Sequence, residues 1–132
     1  DLLFFLGYSP AKKIFTLKSK KNKYPNINLA IRFKNEILGQ YSSNWNNYGR
    51  WSITVNSNHK KYIFKPLESG FIINKNGDVK TLLPSKEDLL FKPGFYNQIK
   101  KFINLIKTSK NKWPDVNLCD LQQIYNLLKK LS

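Results

Sequence analysis

The sequence predicts an α+β fold: a single, mainly antiparallel, open-faced sheet with helices packed on one side. Three observations predict it. Apolar residues alternate with period two in successive short segments between Lys13 and Leu83. Short turn signals separate those segments, Asn76-Gly77 being the strongest. After Pro84 the apolar period changes to that of a helix. Strands joined by tight turns pair antiparallel with their neighbours, and amphipathic helices need an apolar surface to cover, which a sheet face offers.

Taken in order, Asp1–Leu6 is a short apolar helix end, with Gly7 placed to cap it in the left-handed conformation. Ser9-Pro10 breaks the chain. Lys13–Lys18 reads as a strand with Ile14, Thr16 and Lys18 on one face and Phe15 and Leu17 on the other. Lys20–Asn26 is a charged, solvated loop. Ile27–Phe33 alternates strictly and is the clearest strand; Lys34-Asn35-Glu36 turns it into a return strand, Ile37–Ser43. Arg50–Asn56, with Trp51, Ile53 and Val55 on one face, and Lys60–Leu67 form the next pair. Pro66 marks an edge or a strand end, since proline donates nothing to the ladder. Gly70–Asn74 and Val79–Leu83 flank Asn76-Gly77. Ser85–Asp88 opens a polar loop that ends at Pro93-Gly94. Phe95, Ile99, Phe102, Ile103 and Ile106 then make one apolar helical stripe, and Leu118, Leu121, Ile124, Tyr125, Leu128 and Leu131 a second. Both stripes read as core. Asn117 is placed to cap the last helix, with Asp120 three residues on, and Lys129 and Lys130 suit its carbonyl end.

A chain of 132 residues with 41% hydrophobic and 14% aromatic residues supports one domain with one core, 1–132. Its longest apolar run, Leu2–Leu6, is far short of the ~20 residues that span a bilayer. No signal peptide is visible. The single cysteine, Cys119, excludes an internal disulfide and fits a reducing, cytoplasmic setting. No metal-ligand spacing is present. Methionine is absent and the chain opens inside an apolar run, so a fragment is expected.

The net charge of +15 raises nucleic-acid binding. Of the 23 basic residues only Arg32 and Arg50 are arginine, leaving 21 lysines spread along the chain. Sequence-reading proteins favour arginine for its bidentate fork. The accompanying wealth of Asn and Ile points to A/T-rich coding as the source of much of the charge. Catalytic machinery is sparse. The glycines form no phosphate loop, the adjacent acids Glu87 and Asp88 read as solvated, and His59 falls in a turn beside Lys60 and Lys61. The polar, aromatic-studded segment Tyr41–Tyr48 reads either as a connecting loop or as a binding surface beside the sheet.

Four pieces in order resemble the C-terminal domain of the glucose–fructose oxidoreductase / inositol dehydrogenase (Gfo/Idh/MocA) family. Asp1-Leu2-Leu3-Phe4-Phe5-Leu6-Gly7 is similar to the helix that follows the family's catalytic histidine, in the pattern His-x-x-Asp-Leu-x-x-x-Leu-x-Gly. The Gly39–Trp51 region leads into a strand as in the family. Lys65-Pro66-Leu67-Glu68 resembles the Pro-Leu-Glu element of sugar-modifying members. Phe95-Tyr96-Asn97-Gln98 with Phe102-Ile103 is similar to the Gln-x-x-x-Phe-Ile helix. The resemblance covers nearly the whole chain.

The resemblance implies the dihydrodipicolinate-reductase-like C-terminal domain of a two-domain oxidoreductase, shaping the substrate site and subunit contacts. An N-terminal Rossmann domain, absent from this chain, would bind NAD(P) and exchange a hydride with a sugar or sugar-nucleotide derivative, in sugar metabolism or polysaccharide biosynthesis. The catalytic histidine would precede Asp1, so no catalytic, cofactor or metal residue is carried over. Ser43, Asn44, Trp45 and Arg50 would line the substrate side, Trp45 stacking on a sugar face and Asn44 and Arg50 bonding hydroxyl or phosphate groups. The expected partners are the Rossmann domain, a sugar-type substrate and further copies of the protein through the sheet face, without membrane. The alternatives are a basic nucleic-acid-binding module and a non-catalytic oligomerisation domain.

Overall fold

The computed structural model describes residues 2–19, 26–44 and 48–108, together with 121, 122, 124–126 and 129. It is α+β, with two antiparallel sheets and a few helices. The described residues fall in two compact units, one drawn from 1–47 and 114–132, the other from 48–113.

The first unit begins with α1 (Leu2–Gly7), followed by β1 (Ala11–Lys18), β2 (Ile27–Phe33) and β3 (Leu38–Ser43) in the sheet order β1-β2-β3. The strict alternation in β2 sends Leu29, Ile31 and Phe33 to one face, where they are 6%, 2% and 1% exposed. Register places Ile14, Ile31 and Gly39 in one row across the three strands, and Thr16, Leu29 and Tyr41 in the next row on the same face. Helix α1 covers this face. Phe4 meets Phe33 edge-on with ring centroids 5.8 Å apart.

Gly7 is required here for a reason other than the one its position suggests. It is the last helical residue, and the left-handed residue is Tyr8, at φ 48, whose N–H donates to the Phe4 carbonyl at 3.1 Å. A Cβ on Gly7 would lie 2.5–2.7 Å from the Phe33 ring, so glycine is kept for close packing rather than for backbone freedom. The turn after β2 is tied to the same place: the Asn35 side-chain N–H donates to the Gly7 carbonyl at 2.9 Å. Outside the core, Lys12 pairs with Glu36 at 2.7 Å and, with Arg32 nearby, holds that carboxyl below its usual range.

The second unit carries β4 (Ile53–Asn56), β5 (Lys60–Phe64), β6 (Gly70–Asn74) and β7 (Val79–Leu82) in the order β4-β5-β6-β7. Each strand pairs with its chain neighbour because tight turns join them. Ser57 accepts the Lys60 N–H at its hydroxyl, and Gly77 sits at φ 91 in the Asn-Gly turn. The expected single sheet is therefore two. Turn signals identify strands that follow each other closely, but residues 44–52 separate β3 from β4, and the two strands are not hydrogen-bonded neighbours. Strand β4 also starts at Ile53 rather than Arg50, leaving Trp51 ahead of it and 79% exposed. Strand β5 ends at Phe64, and Lys65–Glu68 turns, its Lys65-Pro66 bond cis.

Two helices follow, α2 (Lys86–Leu90) and α3 (Phe95–Thr108). The segment read as a polar loop contains α2, and its capping pattern was in the sequence. The Ser85 hydroxyl accepts the Asp88 N–H at 3.1 Å and donates to the Asp88 carboxylate at 2.9 Å. The other Asp88 oxygen accepts the Gly94 N–H at 2.8 Å. Asp88 thus fastens the start of α2 to the start of α3. The expectation that the α3 stripe is core is not met: Phe95, Ile99, Phe102, Ile103 and Ile106 are all exposed, Ile106 at 64%. A stripe at helical spacing says that one face wants a cover, not which surface supplies it. Of the last predicted helix, 121, 122, 124–126 and 129 are helical, with the Lys129 ammonium 5.1 Å from the Tyr125 ring centre. Asn117, Cys119, Asp120 and Lys130, and the loop residues 20–25, lie outside the described residues.

Two outcomes test these packing arguments. Gly7→Ala destabilises the protein by about 1–3 kcal/mol through overpacking, more than the roughly 0.5–1 kcal/mol by which alanine is preferred in helices. Phe33→Leu recovers part of that loss in a double-mutant cycle followed by chemical denaturation, and an additive cycle would contradict the Gly7–Phe33 contact. The Asp88 pKa is lowered, first by the Gly94 N–H and then by the Ser85 hydroxyl. Its contribution is therefore present above the unfolded carboxylate pKa and is lost as pH falls through the folded one, below about pH 4. Acidification through that range lowers the protection factor of the Gly94 amide, its exchange rate taken relative to the intrinsic rate at each pH, and Asp88→Asn abolishes the transition; a protection factor that does not change with pH disproves the clamp.

Candidate functional site

Of the four residues expected on a substrate side, Ser43 ends β3, paired across the ladder with Ile27 and half-buried on the same face as Leu29 and Ile31. Alternation carries it there, since Gly39, Tyr41 and Ser43 share that face. Asn44 follows the strand end and is exposed, so both ends of its amide are open to a ligand. Trp45 lies outside the described residues. Arg50 is exposed in the segment that leads into β4. Ser43 and Asn44 belong to the first unit and Arg50 to the second.

Arg50 has neighbours that the sequence pattern concealed. Tyr48 and Trp51 flank it, and both rings are exposed, Tyr48 fully. Alternation had drawn Trp51 into the strand, as a side chain that packs on the sheet. Its true place ahead of Ile53 leaves its ring and the Arg50 guanidinium open to solvent. An exposed aromatic face and a guanidinium close together in the chain suit a ring that carries hydroxyls or a phosphate: the aromatic face stacks, and the fork bonds oxygen pairs. The signal that finds this cluster is Asn46-Asn47-Tyr48-Gly49, too rich in turn formers to continue a strand.

The remaining titratable candidates are engaged elsewhere or placed as expected. Asp88 is committed to the α2–α3 clamp, so the Glu87-Asp88 pair is not a catalytic dyad. His59 is exposed in the turn between β4 and β5, where the Ser57 hydroxyl donates to the Lys60 carbonyl at 3.0 Å. Among the described residues no group of three His, Cys, Asp or Glu side chains is placed to hold a metal ion, and no helix is long and apolar enough to cross a membrane.

A shallow groove runs along α3 in the second unit, closed at one end by Phe91 and Lys92, which follow α2. Phe91 and Tyr96 stack across it with centroids 5.9 Å apart and planes 10° from parallel. Lysine ammonium groups rim it, Lys92 at 4.9 Å from the Phe95 ring centre and Lys100 at 5.8 Å from that of Tyr96. Ile99 and Ile103 form the rest of its apolar floor. It offers apolar contact at a cationic margin, the chemistry of a contact surface.

Comparison with known proteins found no match: no family model, no curated protein and no solved structure matches the chain.

Proposed function

We propose that this chain is the substrate-side, C-terminal domain of an NAD(P)-dependent oxidoreductase of the Gfo/Idh/MocA kind, acting on a sugar or sugar-nucleotide derivative. The observation that carries the reading is the order of its four motifs along the chain: the helix ending at Gly7, the Gly39–Trp51 lead into a strand, Lys65-Pro66-Leu67-Glu68, and the helix with Gln98, Phe102 and Ile103. The α+β class is the coarse class of such a domain, whose single open-faced sheet the two sheets of this chain do not reproduce. On this reading a Rossmann domain holds the nicotinamide and the group that takes the alcohol proton. The present chain holds the sugar. Asn44 hydrogen-bonds hydroxyl groups, Ser43 steadies the end of β3, Trp45 stacks on the pyranose face, and Arg50 pairs with phosphate. Trp51 and Tyr48 add aromatic surface beside Arg50. The same reading makes the protein a cytoplasmic homo-oligomer.

The test uses the full-length protein and a panel of sugar nucleotides, with binding followed by calorimetry and NAD(P)H oxidation by absorbance. Asn44→Ala, Trp45→Ala and Arg50→Ala each weaken binding about tenfold, the effect of losing one contact worth about 1.4 kcal/mol. Unchanged affinity in all three variants removes this site. No sugar-dependent turnover of either nicotinamide cofactor removes the oxidoreductase reading itself.

A further inference from the structure

Helix α3 leaves one apolar face open. Phe95, Ile99, Phe102, Ile103 and Ile106 fall within an arc of roughly 100° around the helix, and all are exposed. Phe91, stacked on Tyr96, carries the apolar surface past the start of the helix, and Leu89 and Leu90 just before it are exposed as well. An exposed apolar stripe of this kind marks a surface that meets something other than water. The charged positions say what it meets. Helix α3 contains Lys100, Lys101 and Lys107 and no acidic residue. Lys100 and Lys107, about two turns apart, lie along one border of the apolar arc. The nearest acidic residues, Glu87 and Asp88, precede the groove, and Asp88 is engaged by Ser85 and Gly94.

We propose that α3 lies flat in the surface of an anionic lipid membrane, with its apolar face among the upper acyl chains and its lysines among the headgroups. A basic polar border beside a face of Phe and Ile is the composition of a helix that rests in the interfacial plane. With 14 residues α3 is about 21 Å long, short of the ~30 Å hydrocarbon core, so it lies along the surface and does not cross it. The ammonium of Lys92 sits 4.9 Å from the Phe95 ring centre and that of Lys100 5.8 Å from the Tyr96 ring centre. The charges are thus held at the edge of the apolar surface, where a lysine stem lies on hydrocarbon while its head stays in the headgroup layer. An acidic protein partner is the other neighbour such a face would accept. Docking of carboxylates favours the bidentate fork of arginine, and α3 carries lysine alone. The net charge of +15 adds long-range attraction toward a negative leaflet. Surface attachment through α3 is independent of the sugar chemistry around Arg50, and each is tested without the other.

Flotation of the full-length protein with lipid vesicles tests it. The protein floats with phosphatidylcholine vesicles that contain about one-third phosphatidylserine, stays behind with pure phosphatidylcholine, and is released as salt is raised. Lys100→Gln with Lys107→Gln weakens binding by about tenfold or more. Ile106→Gln, at the most exposed position of the apolar stripe, weakens it about tenfold while the circular dichroism spectrum stays native. Lys34→Gln with Lys65→Gln, which removes the same charge at exposed positions elsewhere, leaves binding unchanged. Failure to bind the anionic vesicles overturns the proposal, and binding instead to an acidic amphipathic peptide assigns the face to a protein partner. Equal loss in both lysine pairs overturns it as well, since adsorption then follows net charge alone. So does full binding by Ile106→Gln, because the apolar face is then not inserted. Loss of the native spectrum in Ile106→Gln also overturns it, because the face is then covered from within the protein.

Discussion

The first unit depends on how one aromatic ring is seated. Phe33 is almost completely buried, and it reaches that depth only because Gly7 and Gly39 leave room for it. A Cβ at Gly7 would overlap the ring, and one at Gly39 would press on it at 3.2 Å. Two glycines, one closing a helix and one in a strand, thus face a single phenylalanine from two elements. Phe4 completes the enclosure edge-on, and Asn35 ties the turn after Phe33 to the Gly7 carbonyl. The approach of α1 to the sheet follows from these contacts. The strands on either side of β2 inherit their register from its strict alternation.

The second unit is built on a different balance. Its strands are joined by short turns, so local hydrogen bonding organises the sheet. Its hydrophobic side chains stop at half-burial, and no large one among the described residues is fully enclosed. Asp88 supplies order where packing does not, accepting from Gly94 and Ser85 and joining two helices that otherwise meet little. An electrostatic clamp of this kind holds geometry without hiding apolar surface. The apolar stripe of α3 consequently stays exposed and edged with lysine.

Charge and apolar exposure have to be weighed together. Lysines spread along the chain make every exposed apolar surface a selective one, because a surface rimmed by ammonium groups rejects its own copy and accepts an acidic or neutral neighbour. The groove along α3 is such a surface, rimmed by Lys92 and Lys100. Around Arg50, the same logic favours an anionic or hydroxyl-bearing ligand over a cationic one.

Much of the fold was legible because its signals are local. Period-two alternation identified Ile27–Phe33 at its true limits, Asn76-Gly77 identified its hairpin, and the spacing from Phe95 to Ile106 identified α3. Backbone dihedrals and side-chain direction are properties of neighbouring residues, and the sequence states them directly. Legibility was lost wherever the deciding partner is distant in the chain. Gly7 read as a helix cap because the ring that demands glycine is Phe33, on another element. Trp51 read as a strand residue because alternation does not show where pairing begins. Seven strands read as one sheet because turns connect neighbours and say nothing of β3 and β4. Among the candidate site residues, Asn44 and Arg50 were expected on a substrate side from the resemblance, and both are exposed. The amino-acid sequence by itself determined most of the strands, helix α3, three of the hairpins and the α+β class. Tertiary structure alone decided the split into two sheets, the glycine beneath Phe33 and the exposure of α3, since each depends on which distant surfaces meet.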